Sequence, residues 1–451
     1  MKPALVIQTR RLGDVILSLP LIKDLSASGA KVIVAAREGF YEDLAPFAPE
    51  AAFIPASALP GLASAEFSSI HNLSSSSEAA AFAARAKARK KFGYVQSGNG
   101  LAVEGFWRLY CASLTQNNRH NVFHWADLYR LDVAFPLSNR ATEIAPRRDS
   151  GKIGLFIGAS EAAKRPDALF WADLAKRLKS RGYAPILLGG PAEKADGELI
   201  TSALKTPILN FAGKTSIAQL ANILKSLDLL VTPDTGPMHF ANWLGTPVLN
   251  LSMGNVSAME TGPASPRQRV LAAAMSCYGC WQCQRGKTYC KRSFSGAPVA
   301  AVIDDIQNGR TPRPFLGGLR LMETTLDPET GLLGLARPRT VATELDAFWR
   351  NAFLDISGLK PMKRPGRAEI PTPIVKSARG ALGRAIASLS KAAKTSRIPD
   401  DSFWRNLPAH SRLFAGFIHM YLQNASWSAS SLRQSLEWIE RVDDALASKD
   451  N

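Results

Sequence analysis

Residues 228–241 read Asp228-Leu229-Leu230-Val231-Thr232-Pro233-Asp234-Thr235-Gly236-Pro237-Met238-His239-Phe240-Ala241. The apolar run ending at Val231 has the length of a buried parallel strand, and Met238 to Leu244 carries helical spacing. Such a strand-to-helix junction presents unpaired backbone N–H groups and the positive end of a helix, which together make a phosphate site. Gly236 permits close approach, Pro237 suits a first helical turn, and the Thr235 hydroxyl adds a donor. His239 falls one turn further in, facing the bound group. The Asp-Thr-Gly triplet also suggests an aspartic protease, but that chemistry needs two such carboxylates in β-rich lobes, and only one is present, between a strand and a helix.

The same alternation extends on both sides. Ala4–Gln8, Lys31–Ala35, Lys152–Ile157, Pro185–Leu188, Leu227–Val231 and Val248–Leu251 read as buried strands. Amphipathic stretches at Val15–Ser26, Leu169–Arg181, Ala192–Leu204, Ile217–Ser226 and Met238–Leu244 follow several of them, giving βαβ order twice. Pro136 to Lys152 is polar and proline-containing and reads as a linker. The fold class expected is α/β: two Rossmann-like, doubly wound domains facing a central cleft, over residues 1–145 and 151–310. From about Thr311 the alternation fades. Residues 311–451 are expected to form a basic linker and a helical C-terminal extension, with apolar helical spacing from Phe403 to Leu446.

Composition narrows the partners. The 451 residues are 46% hydrophobic, enough for large cores in two to three domains. Lys and Arg outnumber Asp and Glu by 55 to 38, a formal net charge of +17. That field suits a nucleotide diphosphate, a phosphorylated glycolipid, an acidic membrane surface or nucleic acid equally, and a merely solvated basic surface as well. The N-terminus is broken by charge too early for a secretory h-region, and no apolar run is long enough to span a bilayer. A cytoplasmic protein, at most peripheral to a membrane, is expected.

Two further loops carry chemistry. Arg10-Arg11-Leu12-Gly13-Asp14 follows the first strand, where a doubly wound sheet opens its ligand crevice. Gly13 allows a tight turn, and the Asp14 carboxylate is placed either to accept the proton of an attacking hydroxyl or merely to cap a helix. Gly158-Ala159-Ser160-Glu161-Ala162-Ala163-Lys164-Arg165-Pro166 again follows a strand. Its Lys164 and Arg165 either neutralise a departing diphosphate or form a solvated surface pair. No G-x-G-x-x-G follows the first strand, which weakens a dinucleotide-dehydrogenase reading.

Taken in order, Arg11-Leu12-Gly13-Asp14 with Leu19-Pro20, Gly158-Ala159-Ser160 with Lys164-Arg165, Gly213-Lys214-Thr215-Ser216, and Asp234-Thr235-Gly236 with His239 and Gly245-Thr246-Pro247 resemble the bacterial heptosyltransferases, glycosyltransferase family 9. The likeness covers roughly Met1 to Arg310. It implies a GT-B enzyme that transfers heptose from ADP-heptose with inversion onto a lipopolysaccharide core or related surface glycan and needs no cofactor for catalysis. By that likeness the 1–145 domain holds the acceptor and the 151–310 domain the nucleotide sugar. Asp14 is then the base and Lys164 steadies the leaving phosphate. Gly13, Ser160, Arg165, Asp234, Thr235, Gly236 and His239 belong to the nucleotide-sugar site, with Glu193 as a ribose or adenosine contact. A protein-glycosylating relative acting on autotransporter adhesins and a non-catalytic nucleotide-binding scaffold are the alternatives. Two departures bear on substrate: Lys164-Arg165-Pro166 lacks the family's aromatic, and the tail beyond Thr311 is not part of the usual enzyme.

Cys277, Cys280, Cys283 and Cys290 offer enough soft ligands for a structural, tetrahedral Zn or Fe site, with free thiols as the alternative. The adhesin-modifying subgroup is similar in using such cysteines to hold iron. Leu359 to Arg397, including Lys360, Lys363, Arg364, Arg367, Lys376, Arg379, Arg384, Lys391 and Lys394, either docks on anionic inner-membrane lipid or is a flexible solvated linker.

Overall fold

The computed structural model describes residues 2–98, 100–115, 117–138, 144, 149–204, 206–362, 370–395 and 397–447. Most of the linker expected at 136–152, and Lys363, Arg364 and Arg367, lie outside the described residues. The chain divides into two compact units: residues 1–68 with 124–336, and residues 69–123 with 337–451. These breaks fall elsewhere than the boundaries drawn from sequence at 145–151 and 310–311.

The first unit holds one whole sheet and the parallel strands that begin another. In the latter, β1 (Ala4–Gln8), β2 (Val32–Ala36) and β3 (Ala51–Pro55) run parallel, with Ala4 opposite Val32 and Val32 opposite Ala51. β4 (Glu66–Asn72) then carries the chain across the unit boundary. The helix Leu12–Ala27 covers β1, burying Val15, Leu19, Leu21, Ile22 and Leu25, each side chain contributing about 1.5–3 kcal/mol. Its last turn is tied by a buried ion pair between Asp24 and Arg130.

The second sheet contains β7 (Lys152–Phe156), β8 (Ala184–Leu188), β9 (Leu209–Asn210), β10 (Leu229–Pro233), β11 (Val248–Ser252) and β12 (Arg269–Ala273). They are parallel in the order β9-β8-β7-β10-β11-β12. The strand order reverses between β7 and β10, and ligands of open α/β sheets bind beyond the strand ends at such a reversal. Ile153, Leu155, Val231, Leu249 and Leu251 are buried on this sheet, as near-continuous apolar strands covered on both faces must be. Three strands that fading alternation did not disclose extend it antiparallel: β13 (Phe315–Leu316), β14 (Leu319–Leu326) and β15 (Leu333–Ala336).

The two sheets are held together through the helix Gly236–Trp243. Trp243 Nε1 donates to Phe47 O at 2.9 Å, Phe47 meets Phe240 edge-on at 4.9 Å, and Lys23 Nζ sits 4.4 Å over the Trp243 ring.

The second unit packs the chain's tail onto residues 69–123. β5 (Lys87–Ser97) and β6 (Gly100–Glu104) form an antiparallel hairpin, beside the helix Phe106–Ser113. Gly93 sits at φ +98°, where any Cβ would strike Asn72 O. The helices Val341–Ile356, Thr372–Thr395, Arg412–Asn424 and Ala429–Ala447 complete the unit. Tyr110 meets Phe353 at 4.7 Å, Trp107 meets Phe123 at 5.0 Å, and Phe106 meets Phe417 at 4.9 Å. Asn424 donates to Val103 O at 3.0 Å and accepts from Val103 N at 2.8 Å, satisfying an otherwise unpaired strand edge. The tail therefore shares an aromatic core with residues drawn from sequence into the N-terminal domain. None of the described helices is long and apolar enough to cross a membrane.

Candidate functional site

Two helix starts meet in the first unit. A Cβ on Gly13 would stand 3.2 Å from Gly236 Cα and 3.2 Å from His239 Cδ2, and one on Gly236 would stand 3.3 Å from Gly13 N. Glycine at both positions lets the loops after β1 and β10 approach this closely, since a Cβ at either would push its neighbours back by a few tenths of an ångström, and the contact brings the positive ends of two helices to one place. An anion there is attracted by both.

Asp14 is the third residue of its helix, and its carboxylate accepts from Arg11 N at 3.2 Å. It thus caps the helix, and it forms no ion pair with a described residue. Burial raises its pKa above the ordinary carboxylate range, against the opposing pull of Arg10, Arg11 and Lys164. A partly desolvated carboxylate of this kind is a stronger base than one in water.

Asp234 lies at the end of β10 and accepts a hydrogen bond from Thr261 Oγ1. Burial pushes its pKa up to about 6; Thr261 and Lys164 pull it down, and Asp14 pushes it further up. Asp14, Lys164 and Asp234 therefore feel one another's charge. Thr235 opens the helix with backbone alone, its hydroxyl making no cap bond.

His239 is buried, and its Nδ1 has no hydrogen-bond partner among the described residues. Burial pushes its pKa down to about 3, with His124 adding to the fall. The ring is therefore neutral and offers one N–H instead of a positive charge. His124 accepts from Ala126 N at 3.1 Å through Nδ1, so its Nε2 donates to Gly262 O at 2.9 Å. It anchors the turn that carries Thr261.

The loop after β7 supplies the cations. Lys164 Nζ is 3.1 Å from Glu161 Oε1 and largely covered, with 13% of its side chain exposed. Ser160 receives a hydrogen bond from Arg11 Nη1 at 3.2 Å, joining this loop to the loop after β1. Arg165 and Glu193 form an ion pair beside this loop. Arg165 Nη1 is 3.2 Å from Glu193 Oε1 and 3.5 Å from Asp196 Oδ2, while Glu193 Oε2 accepts from Gly190 N at 2.9 Å. A Cβ on Gly158 would stand 2.5 Å from the Glu193 carboxyl carbon, so that glycine makes room for the pair.

All five cysteines are free thiols. Cys277, Cys280, Cys283 and Cys290 line one small pocket with Tyr278 and Tyr289. Burial raises the Cys280 thiol's pKa, and the three neighbouring thiols raise it further. Yet among the described residues no three His, Cys, Asp or Glu side chains are gathered as a metal-ligand set. As placed, the thiols do not form the tetrahedral Zn or Fe site that their soft donors and spacing suggest.

Sequence reasoning missed Thr261 and His124. Thr261 ends the short helix Ala258–Thr261 that follows β11, the strand beside β10, and that position is the one signal that could have found it. Nothing in the local sequence marks His124.

Two α/β sheets whose loops after β1 and β10 meet at two helix starts have the architecture of the GT-B class. Residues 60–289, about half of the chain, match the family described as Glycosyltransferase family 9 (heptosyltransferase), and the chain belongs to it. Lipopolysaccharide heptosyltransferase 2 of Escherichia coli (strain K12) is 35% identical over 124 residues, 26% of this chain and 35% of that protein. The chain spans about a third of the length of that relative and of its counterparts from Haemophilus influenzae and Salmonella typhimurium. Two solved structures share the fold. The E. coli ADP-heptose lps heptosyltransferase II superposes with a TM-score of 0.52 at 20% identity over 68% of this chain and 99% of that one. The glycosyl transferase family 9 protein from Veillonella parvula gives 0.54 at 18% identity over 68% and 98%.

Proposed function

We propose that the chain is an inverting glycosyltransferase that moves heptose from ADP-heptose to a hydroxyl of a lipopolysaccharide core or related surface glycan. The observation that carries this reading is the contact between the Gly13-Asp14 and Gly236-His239 helix starts, with Lys164 acting electrostatically on both carboxylates. The donor diphosphate sits against the two helix ends. The acceptor oxygen attacks the anomeric carbon and its proton passes to Asp14. The bond from that carbon to the phosphate oxygen breaks, and its electron pair leaves with ADP. Lys164 and the helix ends stabilise the charge that develops there, while neutral His239 donates one hydrogen bond. Binding and proton transfer are both assigned to protein groups, so catalysis needs no cofactor.

The test is turnover. Purified protein given ADP-heptose and heptose-deficient lipopolysaccharide releases ADP, and mass spectrometry finds the glycolipid heavier by one heptose. Transfer instead to an autotransporter adhesin would replace the acceptor in this reading, and no ADP release with either acceptor overturns it.

The reading also places the protein in the cytoplasm, peripheral to the inner membrane. The helix Thr372–Thr395 has no carboxylate and buries Val375, Leu382 and Leu389. Lys376, Arg384, Lys391 and Lys394 are exposed on the opposite side, and among the described residues none of them pairs with an acid, whereas Arg379 is taken by Asp443 at 3.1 Å. Four unpaired cations on one helical face suit an anionic headgroup layer. Sedimentation with phosphatidylglycerol vesicles, and not with phosphatidylcholine vesicles, is expected at low salt and is lost at about 0.5 M salt, where screening is nearly complete within a few ångströms. Replacing the four by Glu abolishes it. Equal sedimentation of the variant removes the membrane from the reading.

A further inference from the structure

The loop that carries Lys164 has little structure of its own. Lys164 N donates to Glu161 O at 3.0 Å, closing a single 3-10 turn over Ala162–Lys164, and one such turn does not hold itself. Two segments brace it. Gly254, just past β11 at φ +78°, lies so close that a Cβ would clash with Ala163 O at 2.3 Å. Next to it, Asn255 Nδ2 donates to Glu161 Oε2 at 3.0 Å, and the other Glu161 oxygen holds Lys164. The second brace is the helical turn Tyr289–Arg292, at the end of the cysteine-bearing segment. Lys291 Nζ donates to Ala162 O at 2.9 Å, and Cys290 Sγ accepts from Gly254 N at 3.4 Å. One turn therefore grips the Lys164 loop directly through Lys291, and indirectly through Cys290 and Gly254.

We propose that Lys291 and Cys290 are positioning residues that hold the Lys164 loop at the diphosphate, so that the cysteine-bearing segment serves the transfer as a brace. The inference rests on the transferase reading above. Lys291 is suited to the role because its ammonium makes a charge-assisted bond to a carbonyl two residues from Lys164. A small displacement of a charge that acts in the transition state lowers kcat more than it weakens binding.

Two measurements on the full-length protein test it. In the first, hydrogen exchange of the amides at 160–165 is compared in wild type and Lys291→Met. Faster exchange is expected there, with exchange in β7 and β10 unchanged. Unchanged exchange at 160–165 overturns the brace, whether or not the protein transfers heptose. In the second, kcat for ADP release is expected to fall about tenfold in Lys291→Met, the size of one hydrogen bond to a charged group, with KM for the donor shifting less. Lys291→Arg, which keeps a cationic donor, restores most of it, and Gly254→Ala lowers it at least as far. In a Lys164→Met background the further loss from Lys291→Met disappears, because the loop no longer presents the group being positioned. A full additional tenfold loss there would assign Lys291 an independent role and overturn the proposal. A wild type without turnover would fail the transferase reading and leave the exchange result to decide the brace.

Discussion

Asp14→Asn is expected to lower kcat by about 10²–10⁴-fold, the range by which a positioned general base contributes, while ADP binds within a few-fold of wild type. Asparagine keeps an oxygen for Arg11 N, so the helix cap survives, and what is lost is the ability to take a proton. Folding does not suffer either. Burial raises the Asp14 carboxyl's pKa, which means that its charged form costs stability at neutral pH. A variant that is at least as stable as wild type and nearly inactive separates chemistry from folding. The pH profile of kcat/KM carries the same signature: its acid limb lies above the ordinary carboxylate range, and activity falls as Asp14 takes up its proton. Turnover within threefold of wild type would remove Asp14 as the base.

Asp234→Asn is expected to stabilise the protein at pH 8 by about 3 kcal/mol, the free-energy equivalent of raising the carboxyl from 3.8 to about 6. The Asp234 carboxyl titrates at about 6 in the folded chain against 3.8 ordinarily. Between those values the folded protein holds a proton that the unfolded chain has released, so the stability it confers is complete below pH 3.8 and lost as pH rises through 6. Asparagine does not titrate and still accepts from Thr261. Urea unfolding from pH 4 to 8 should therefore show the variant and wild type converging toward pH 4 and parting up to about 6.5. A gap independent of pH, or a variant less stable at pH 8, contradicts the strained carboxylate. An aspartate that weakens its own fold beside the proposed phosphate site fits a stability cost borne for function.

Much of this centre was legible from sequence because strand, turn and helix are local. Leu229–Val231 is apolar enough to be buried on both faces, and the helix expected over Ile217–Ser226 has those bounds in the structure, opened by Ser216 and Gln219 in a reciprocal cap. Gly13 and Gly236 were likewise readable as points of close approach. What each approaches was not: they approach each other, across more than two hundred residues. Arg165 and Glu193 were readable only as polar types, and folding alone set them 3.2 Å apart as an ion pair.

The alternation of β1, β7, β8, β10 and β11 with helices, the glycines at the strand-to-helix turns after β1 and β10 and the cationic stretch near the C-terminus were determined by the sequence alone, since each depends on neighbours within a turn or two. Tertiary structure alone decided the rest. It neutralised His239 and raised Asp234, because desolvation exists only once other segments cover a side chain. It joined the tail's Phe353, Phe414 and Phe417 to Tyr110 and Trp107 in one core, because aromatic spacing tells how much surface a helix must bury and not what will bury it. It also brought Lys291 to Ala162, a contact between residues 129 apart that no local pattern encodes.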